Sequence, residues 1–435
     1  MMEIFEQSEA MWKGEIDPAD LSPFEAANKI VKIAYNTWFF KGYSNIIVRA
    51  TDHGLIIVDP GGFSTAASVD GHIYAVNNIQ FNAIRSVTTQ RLHTAIYTHG
   101  HVDHIHGARI YEEESRLNHW PPPQVIAHEN ILARFKRYKE LPPKMLHHSN
   151  PRFQAGQSSG LVSTTEFLLP NFLYKTDLDI RICGIKTLIR HDRGETDDHT
   201  WVFFPDTGVL CTGDFFTWSL PGTCNLQESQ CFFLDWARAL RKMASLKPEI
   251  LAPGHGLLVI GEDRVIEALD HTATLLESVH SQALSLMNKG ATLDIAMQSI
   301  RADKRLVSLP YLQPVCGDIE FIVRSIWQSY GGWYDGTPSR LKPAKEKEQG
   351  AEIARLAGGP GRLIKRAKEL MSKGNLSLAC HLVEWACSTC PGQLDFLEIR
   401  RQIYGARASA EASIIAKGVF RTAAENMQAE PKLKE

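Results

Sequence analysis

The chain has 435 residues, 44% of them apolar and 22% charged, with a formal net charge of −2. That is the balance of a globular protein of two domains, or of one large domain with an appendage. It carries no cationic footprint for nucleic acid or an anionic membrane, and no apolar run approaches the roughly 20 residues that cross a bilayer. Residues 1–28 read as an acidic, amphipathic N-terminal extension without the basic and apolar regions of a signal peptide. Over residues 29–261, short runs rich in Val, Ile and aromatics are bounded by Gly, Pro, Asp or Asn. They predict strands at Ile30–Ala34, Asn45–Arg49, Leu55–Val58, Ala95–Thr98, Val125–Ala127, Ile180–Ile189, Trp201–Phe204, Val209–Thr212 and Ile250–Ala252. Helices are predicted between them, notably at Ile105–Glu114, Asn130–Leu141 and Leu234–Leu246. Strands alternating with helices make this stretch an α/β body.

Over residues 262–425 only helical periodicity remains. Val265–Lys289 reads as one long helix closed by Gly290, followed by a turn-rich loop at Tyr330–Pro338 and a charged linker or helix start at Lys342–Glu348. Gly358-Gly359-Pro360-Gly361 lacks the Lys-Ser/Thr of a phosphate loop and reads as a linker. Three apolar stripes follow: Leu363, Ala367, Leu370 and Met371; then Leu378, Leu382, Trp385 and Ala386; then Phe396, Ile399 and Ile403. They read as a module similar to a tetratricopeptide pair, with a polar, frayed tail at 426–435. The eight cysteines form no disulfide framework, which fits a reducing, cytoplasmic setting. Cys387 and Cys390 have Cys-x-x-Cys spacing but neither a second pair nor a nearby His, so they read as thiols at a helix end.

The chemistry is concentrated in His99-Gly100-His101-Val102-Asp103-His104, four metal-ligand side chains directly after an apolar strand. Alternate positions at a strand end point the same way, and two adjacent ligands let the turn serve a second ion. Three further candidates lie where other strands leave the body: His199 before Trp201–Phe204, Asp214 after Val209–Thr212, and His255 after Ile250–Ala252. Five His and two Asp suit two ions. His99, His101 and His199 could hold one, Asp103, His104 and His255 the other, with Asp214 as the bridge. Imidazole and carboxylate favour zinc or iron over magnesium. Asp103 is also the candidate catalytic residue. Glu195, Asp197 and Asp198 read as a solvated acidic turn, one member of which could orient His199. Phe215, Phe216, Trp218 and Trp333 read equally as core or as the lining of an apolar substrate pocket.

With Ile57-Val58-Asp59-Pro60-Gly61 ahead of the HxHxDH cluster, and the later His, Asp and His in order, the chain resembles the metallo-β-lactamase superfamily. The resemblance implies an αβ/βα sandwich with the site at one edge, and gives Asp59 a supporting role through hydrogen bonds to the metal-binding loop. Gly331-Gly332-Trp333-Tyr334-Asp335-Gly336, Pro338, Leu341-Lys342-Pro343 and the helices from Arg362 to Ala424 resemble the dimerisation domain of type III alkylsulfatases. This implies an all-α C-terminal domain, a homodimer and a small-molecule sulfate ester as substrate, with no nucleic acid and no membrane as partner. That branch typically carries Glu where this chain has His199 and Asp214, and its sulfate-binding Asn has a nearby Arg. Here Asn225 matches the Asn, and no Arg follows until Arg238. No counterpart of the sterol-carrier-like domain of that branch is expected. The function that follows is a dinuclear zinc hydrolase of an alkyl sulfate ester. The alternatives are a thioester, lactone or phosphoester hydrolase, or, in another class, a di-iron oxidoreductase.

Overall fold

The structure is a computed structural model that describes residues 3–62, 79–140, 167–222 and 231–425. The chain forms two compact units, the first running to Trp333 and the second holding the described residues from Tyr334 onward. Two sheets build the first unit. One has seven strands in chain order: β1 (Lys29–Ala34), β2 (Thr37–Lys41), β3 (Ile46–Thr51), β4 (Gly54–Val58), β5 (Leu92–Ile96), β6 (Gln124–His128) and β7 (Phe172–Tyr174). β1 to β4 pair antiparallel, and β4 to β7 pair parallel through helical crossovers. The other sheet runs β13-β12-β11-β10-β9-β8, from β8 (Leu178–Ile182), β9 (Ile185–His191), β10 (Thr200–Phe204), β11 (Val209–Gly213), β12 (Ile250–Pro253) and β13 (Val259–Ile260).

Alternation along the strands makes these sheets a sandwich. In β4, Ile56 and Val58 join an apolar cluster with Ile189, Val202, Phe204 and Leu210 of the second sheet. Leu55 and Ile57 point the other way, into a separate cluster with Ile84, Tyr111 and Phe135 of helices Ile79–Val87, Ala108–Leu117 and Ile131–Glu140. Both faces of β4 are covered, which is why every one of its positions is buried. Helices Phe233–Ser245 and Glu262–Asn288 pack on one another and add Trp236, Leu240, Met243, Leu269 and Leu276 to the inter-sheet cluster. The architecture is the αβ/βα sandwich, with a C-terminal helical region. In the second unit, helices Pro360–Ser372, Leu376–Thr389 and Leu394–Ala410 close a core of their own on Ala367, Val383, Ala386 and Ile403. Cys387 is buried and Cys390 half-buried at the end of the middle helix, both as free thiols. No helix among the described residues is long and apolar enough to cross a membrane.

Several elements differ from the sequence reading, each for a local reason. Ile180–Ile189 is a hairpin rather than one strand, because Cys183 (φ 49°) and Gly184 (φ 83°) form a two-residue turn of left-handed backbone. Thr37-Trp38-Phe39-Phe40-Lys41 is a further strand whose continuous apolar run lacks the alternation that marks a half-buried strand. The helix expected at Ile105–Glu114 is two pieces, Val102–Ile105 and Ala108–Leu117. They part at Gly107, where the carbonyl of Pro60 occupies the space a side chain would need.

Candidate metal centre

Four chain segments leave the sandwich at one edge and converge. After β4, Asp59 takes a left-handed backbone (φ 53°), which turns its carboxylate back toward the end of β5. Its Oδ1 accepts from Thr98 N at 2.7 Å; its Oδ2 accepts from Thr98 Oγ1 at 2.7 Å and from His104 Nδ1 at 2.8 Å. Residues 98–101 then leave the sheet, and the short helix Val102–Ile105 carries Asp103 and His104. From the second sheet, β11 ends at Gly213-Asp214 and β12 runs into Gly254-His255. Gly254 N donates to Gly213 O at 2.8 Å, joining these two loops. Gly213 (φ 52°) has no space for a side chain: a Cβ there would lie 2.7 Å from Thr98 Oγ1 and 2.9 Å from His199 Nε2.

The donors fall into two groups. One is His99, His101, Glu195 and Asp214; the other is Asp103, His104 and His255; within each group the ligand atoms lie within 4.8 Å of one another. In the second group His104 Nε2 is 3.3 Å from His255 Nε2, and each is within 3.5 Å of Asp103 Oδ2. Asp214 reaches both groups, with Oδ2 3.8 Å from His99 Nε2 and 3.4 Å from His255 Nε2, and Oδ1 3.5 Å from His104 Nε2.

Hydrogen bonds on the far side of each ring set the tautomers. His104 Nδ1 donates to Asp59, and His255 Nδ1 donates to Tyr43 O at 2.6 Å. His99 Nδ1 donates to Thr98 Oγ1 at 2.9 Å, because the proton of that hydroxyl is committed to Asp59. All three Nε2 atoms therefore turn lone pairs inward. Asp103 Oδ2 and both carboxylate oxygens of Asp214 are buried without a hydrogen bond. Lone pairs and carboxylate oxygens crowded together in a buried space repel unless a cation lies among them. The separations of 3.3–3.5 Å match the edge of a tetrahedron with bonds of about 2.0–2.1 Å, the zinc–nitrogen and zinc–oxygen lengths. The residues fit a pair of divalent ions.

The protonation energetics agree. Burial, aided by the neighbouring imidazoles, drives His99 well below its ordinary value, and burial pushes His199 down to about 3. Burial also opposes charge on His104, but the carboxylates of Asp103, Asp214 and Asp59 outweigh it and raise the ring to about 10. His255 is raised in the same way by Asp214 and Asp103. The carboxylates of this group thus favour positive charge on His104 and His255.

Six of the seven residues singled out from the sequence as ligands meet here. The seventh, His199, stacks on His99 with ring centroids 4.4 Å apart, and its Nε2 accepts from Asp214 N at 3.1 Å, so it falls outside both donor groups. Glu195 completes the first group instead, with Oε2 3.8 Å from His101 Nδ1. The acidic turn read as solvated is thus corrected: Glu195 and Asp198 are each 1% exposed. Asp198 does not orient His199; its Oδ2 accepts from Gly100 N at 2.8 Å and its Oδ1 lies 3.4 Å from Arg134 Nε. The available signal was position, since Glu195 lies just before β10, and Asp214 directly follows the next strand, β11. Phe215, Phe216 and Trp218 are core, whereas Trp333 is 75% exposed. Asn225 lies outside the described residues.

Residues 39–255 match the metallo-beta-lactamase superfamily, and residues 292–430 match the alkyl sulfatase dimerisation family. The chain thus carries a metallo-β-lactamase domain followed by an alkyl sulfatase dimerisation domain. Among curated relatives, a linear primary-alkylsulfatase from Pseudomonas sp. is 26% identical over 357 residues, 77% of this chain and 64% of that protein. An alkyl/aryl-sulfatase from Saccharomyces cerevisiae is 24% identical over 383 residues, 82% of this chain and 57% of that protein. The chain thus spans about half to two-thirds of the length of these relatives. Among solved structures, a stereoselective inverting sec-alkylsulfatase from Pseudomonas sp. superposes with a TM-score of 0.77 at 19% identity, covering 93% of this chain and 66% of that one. The chain therefore shares its fold with that structure over 93% of its length.

Proposed function

We propose that this chain is a dinuclear metal-dependent hydrolase, with zinc as its metal and an alkyl sulfate ester as its substrate class. The observation that carries the reading is the pair of donor groups sharing Asp214. His99, His101, Glu195 and Asp214 would hold one ion, and Asp103, His104, His255 and Asp214 the other. When bound, the ions supply Lewis acidity and bring the pKa of a coordinated water to about 7.

The residues of the chain set the stage for that chemistry. Asp59 holds His104 in the tautomer that directs Nε2 inward, and the Tyr43 carbonyl does the same for His255. Asp103 turns Oδ2 toward both rings and is the most exposed carboxylate of the set. Its second oxygen is left to accept a hydrogen bond from the attacking water. Water adds across the sulfate ester, and the alcohol and inorganic sulfate leave. The alkylsulfatase relatives and the matched dimerisation region support this substrate class and a homodimer joined through residues 292–430.

The test is a panel of alkyl sulfates, phosphoesters, thioesters and lactones given to metal-loaded protein, with elemental analysis of the same sample. Release of inorganic sulfate together with zinc supports the reading. Turnover confined to thioesters, lactones or phosphoesters refutes the substrate class, and two irons per chain with visible absorption refutes the zinc assignment.

A further inference from the structure

The segment before β1 reaches the candidate metal centre from outside the region that matches the superfamily. Phe24 places its ring 4.6 Å from the imidazole of His255, centroid to centroid, on one side, while Tyr43 meets the same imidazole edge-on at 5.5 Å. Gly256, the next residue, donates its N–H to Pro23 O at 2.8 Å. This short stretch therefore touches both the ring of His255 and the backbone that follows it.

A buried lysine ties the stretch down. Lys41, on β2, is 3% exposed, and its Nζ donates to Pro23 O at 3.1 Å, Glu25 O at 2.7 Å and Gly42 O at 2.8 Å. All three ammonium protons are used on backbone carbonyls, two of them in this segment. Asn28 N closes the far end on Lys41 O at 2.9 Å. Beside these bonds lies a cavity of about 270 Å³ lined by Leu21, Ala26, Lys41, Trp218 and Gly256. The segment is thus not backed by close-packed core along its length. The Lys41 bonds, the Gly256 bond to Pro23 and the Phe24 ring together hold it against His255.

We propose that residues 23–28 are a strap that positions His255 for its ion, with Lys41 as the anchor and Phe24 as the contact. The proposal rests on the reading of His255 as a metal donor. Lys41 and Phe24 act through His255 and are positioning residues.

The experiment compares the full-length protein with Phe24→Leu, Phe24→Tyr and Lys41→Met, measuring the affinity of each zinc equivalent by chelator competition and the unfolding temperature of the metal-free forms. Phe24→Leu keeps apolar volume and removes the ring; it is expected to weaken one of the two equivalents by about tenfold to a hundredfold and leave the other unchanged. Phe24→Tyr, which keeps the ring, is expected to restore it. Lys41→Met should show the same selective loss. If Phe24→Leu weakens both equivalents alike, or neither, the strap is overturned. A wild-type chain that holds no ion defeats the metal reading itself, a result distinct from two ions with no selective loss.

Discussion

His104 and His255 come from opposite sheets of the sandwich, yet their Nε2 atoms stand 3.3 Å apart with both lone pairs facing inward. The contact is unfavourable without a positive charge between the rings, and Asp103 and Asp214 supply the counter-charge. In the metal-free protein that positive charge is a proton on His104, raised to about 10 from 6.5. A raised value contributes stability that is complete below pH 6.5 and is lost as pH rises through about 10. Metal and proton compete for the same nitrogen, so zinc uptake at pH 8 should release protons. Calorimetric titration in buffers of different ionisation enthalpy reads this directly; an enthalpy independent of buffer contradicts it.

Glu195 and His199 compete for the same place in the first donor group. The geometry favours Glu195, so Glu195→Gln should lower the affinity of one zinc by about a hundredfold or more, the scale expected when a ligand rather than its supporting partner is lost. His199→Gln should cost less, acting through its stacking on His99 and its bond to Asp214 N. Parallel zinc titrations of the two variants decide the order, and a larger loss from His199→Gln reverses the assignment.

Asp59 is 1% exposed and accepts three hydrogen bonds, one of them from His104. Asp59→Asn keeps its size and replaces an acceptor oxygen by a donor. It should reduce zinc affinity by about 10–100-fold and cost about 1–3 kcal/mol through unpaired buried groups. Denaturant unfolding of the metal-free variant separates the two effects.

At Gly107 a Cβ would run into the carbonyl of Pro60, on the segment that carries Asp59. Gly107→Ala should cost about 1–3 kcal/mol and loosen zinc binding as that segment shifts. Thermal unfolding with and without zinc checks both; an unchanged unfolding temperature shows that the two segments can part without cost.

Much of this centre was legible in the sequence because metal donors come packed at strand ends. His99 to His104 lie within six residues, and Asp214 and His255 each follow an apolar run. The long helix Glu262–Asn288 was equally visible, from its sustained periodicity and its glycine stop. What escaped the sequence was decided by tertiary contact. Nothing local distinguishes the buried Glu195 and Asp198 from the more exposed Asp197, and their roles come from His101, Gly100 and Arg134, distant in the chain. Lys41 reads as an ordinary strand-end charge until the carbonyls of residues 23 and 25 are found around it. The hairpin within Ile180–Ile189 was signalled only by Cys183-Gly184, a turn pair that an apolar flank conceals.

The account depends on two ions sharing Asp214, and a zinc titration of the metal-free, full-length chain tests it most directly. The account predicts saturation at two zinc per chain, with Asp214→Ala weakening both equivalents. Saturation at one zinc, or two equivalents of which Asp214→Ala disturbs only one, contradicts it.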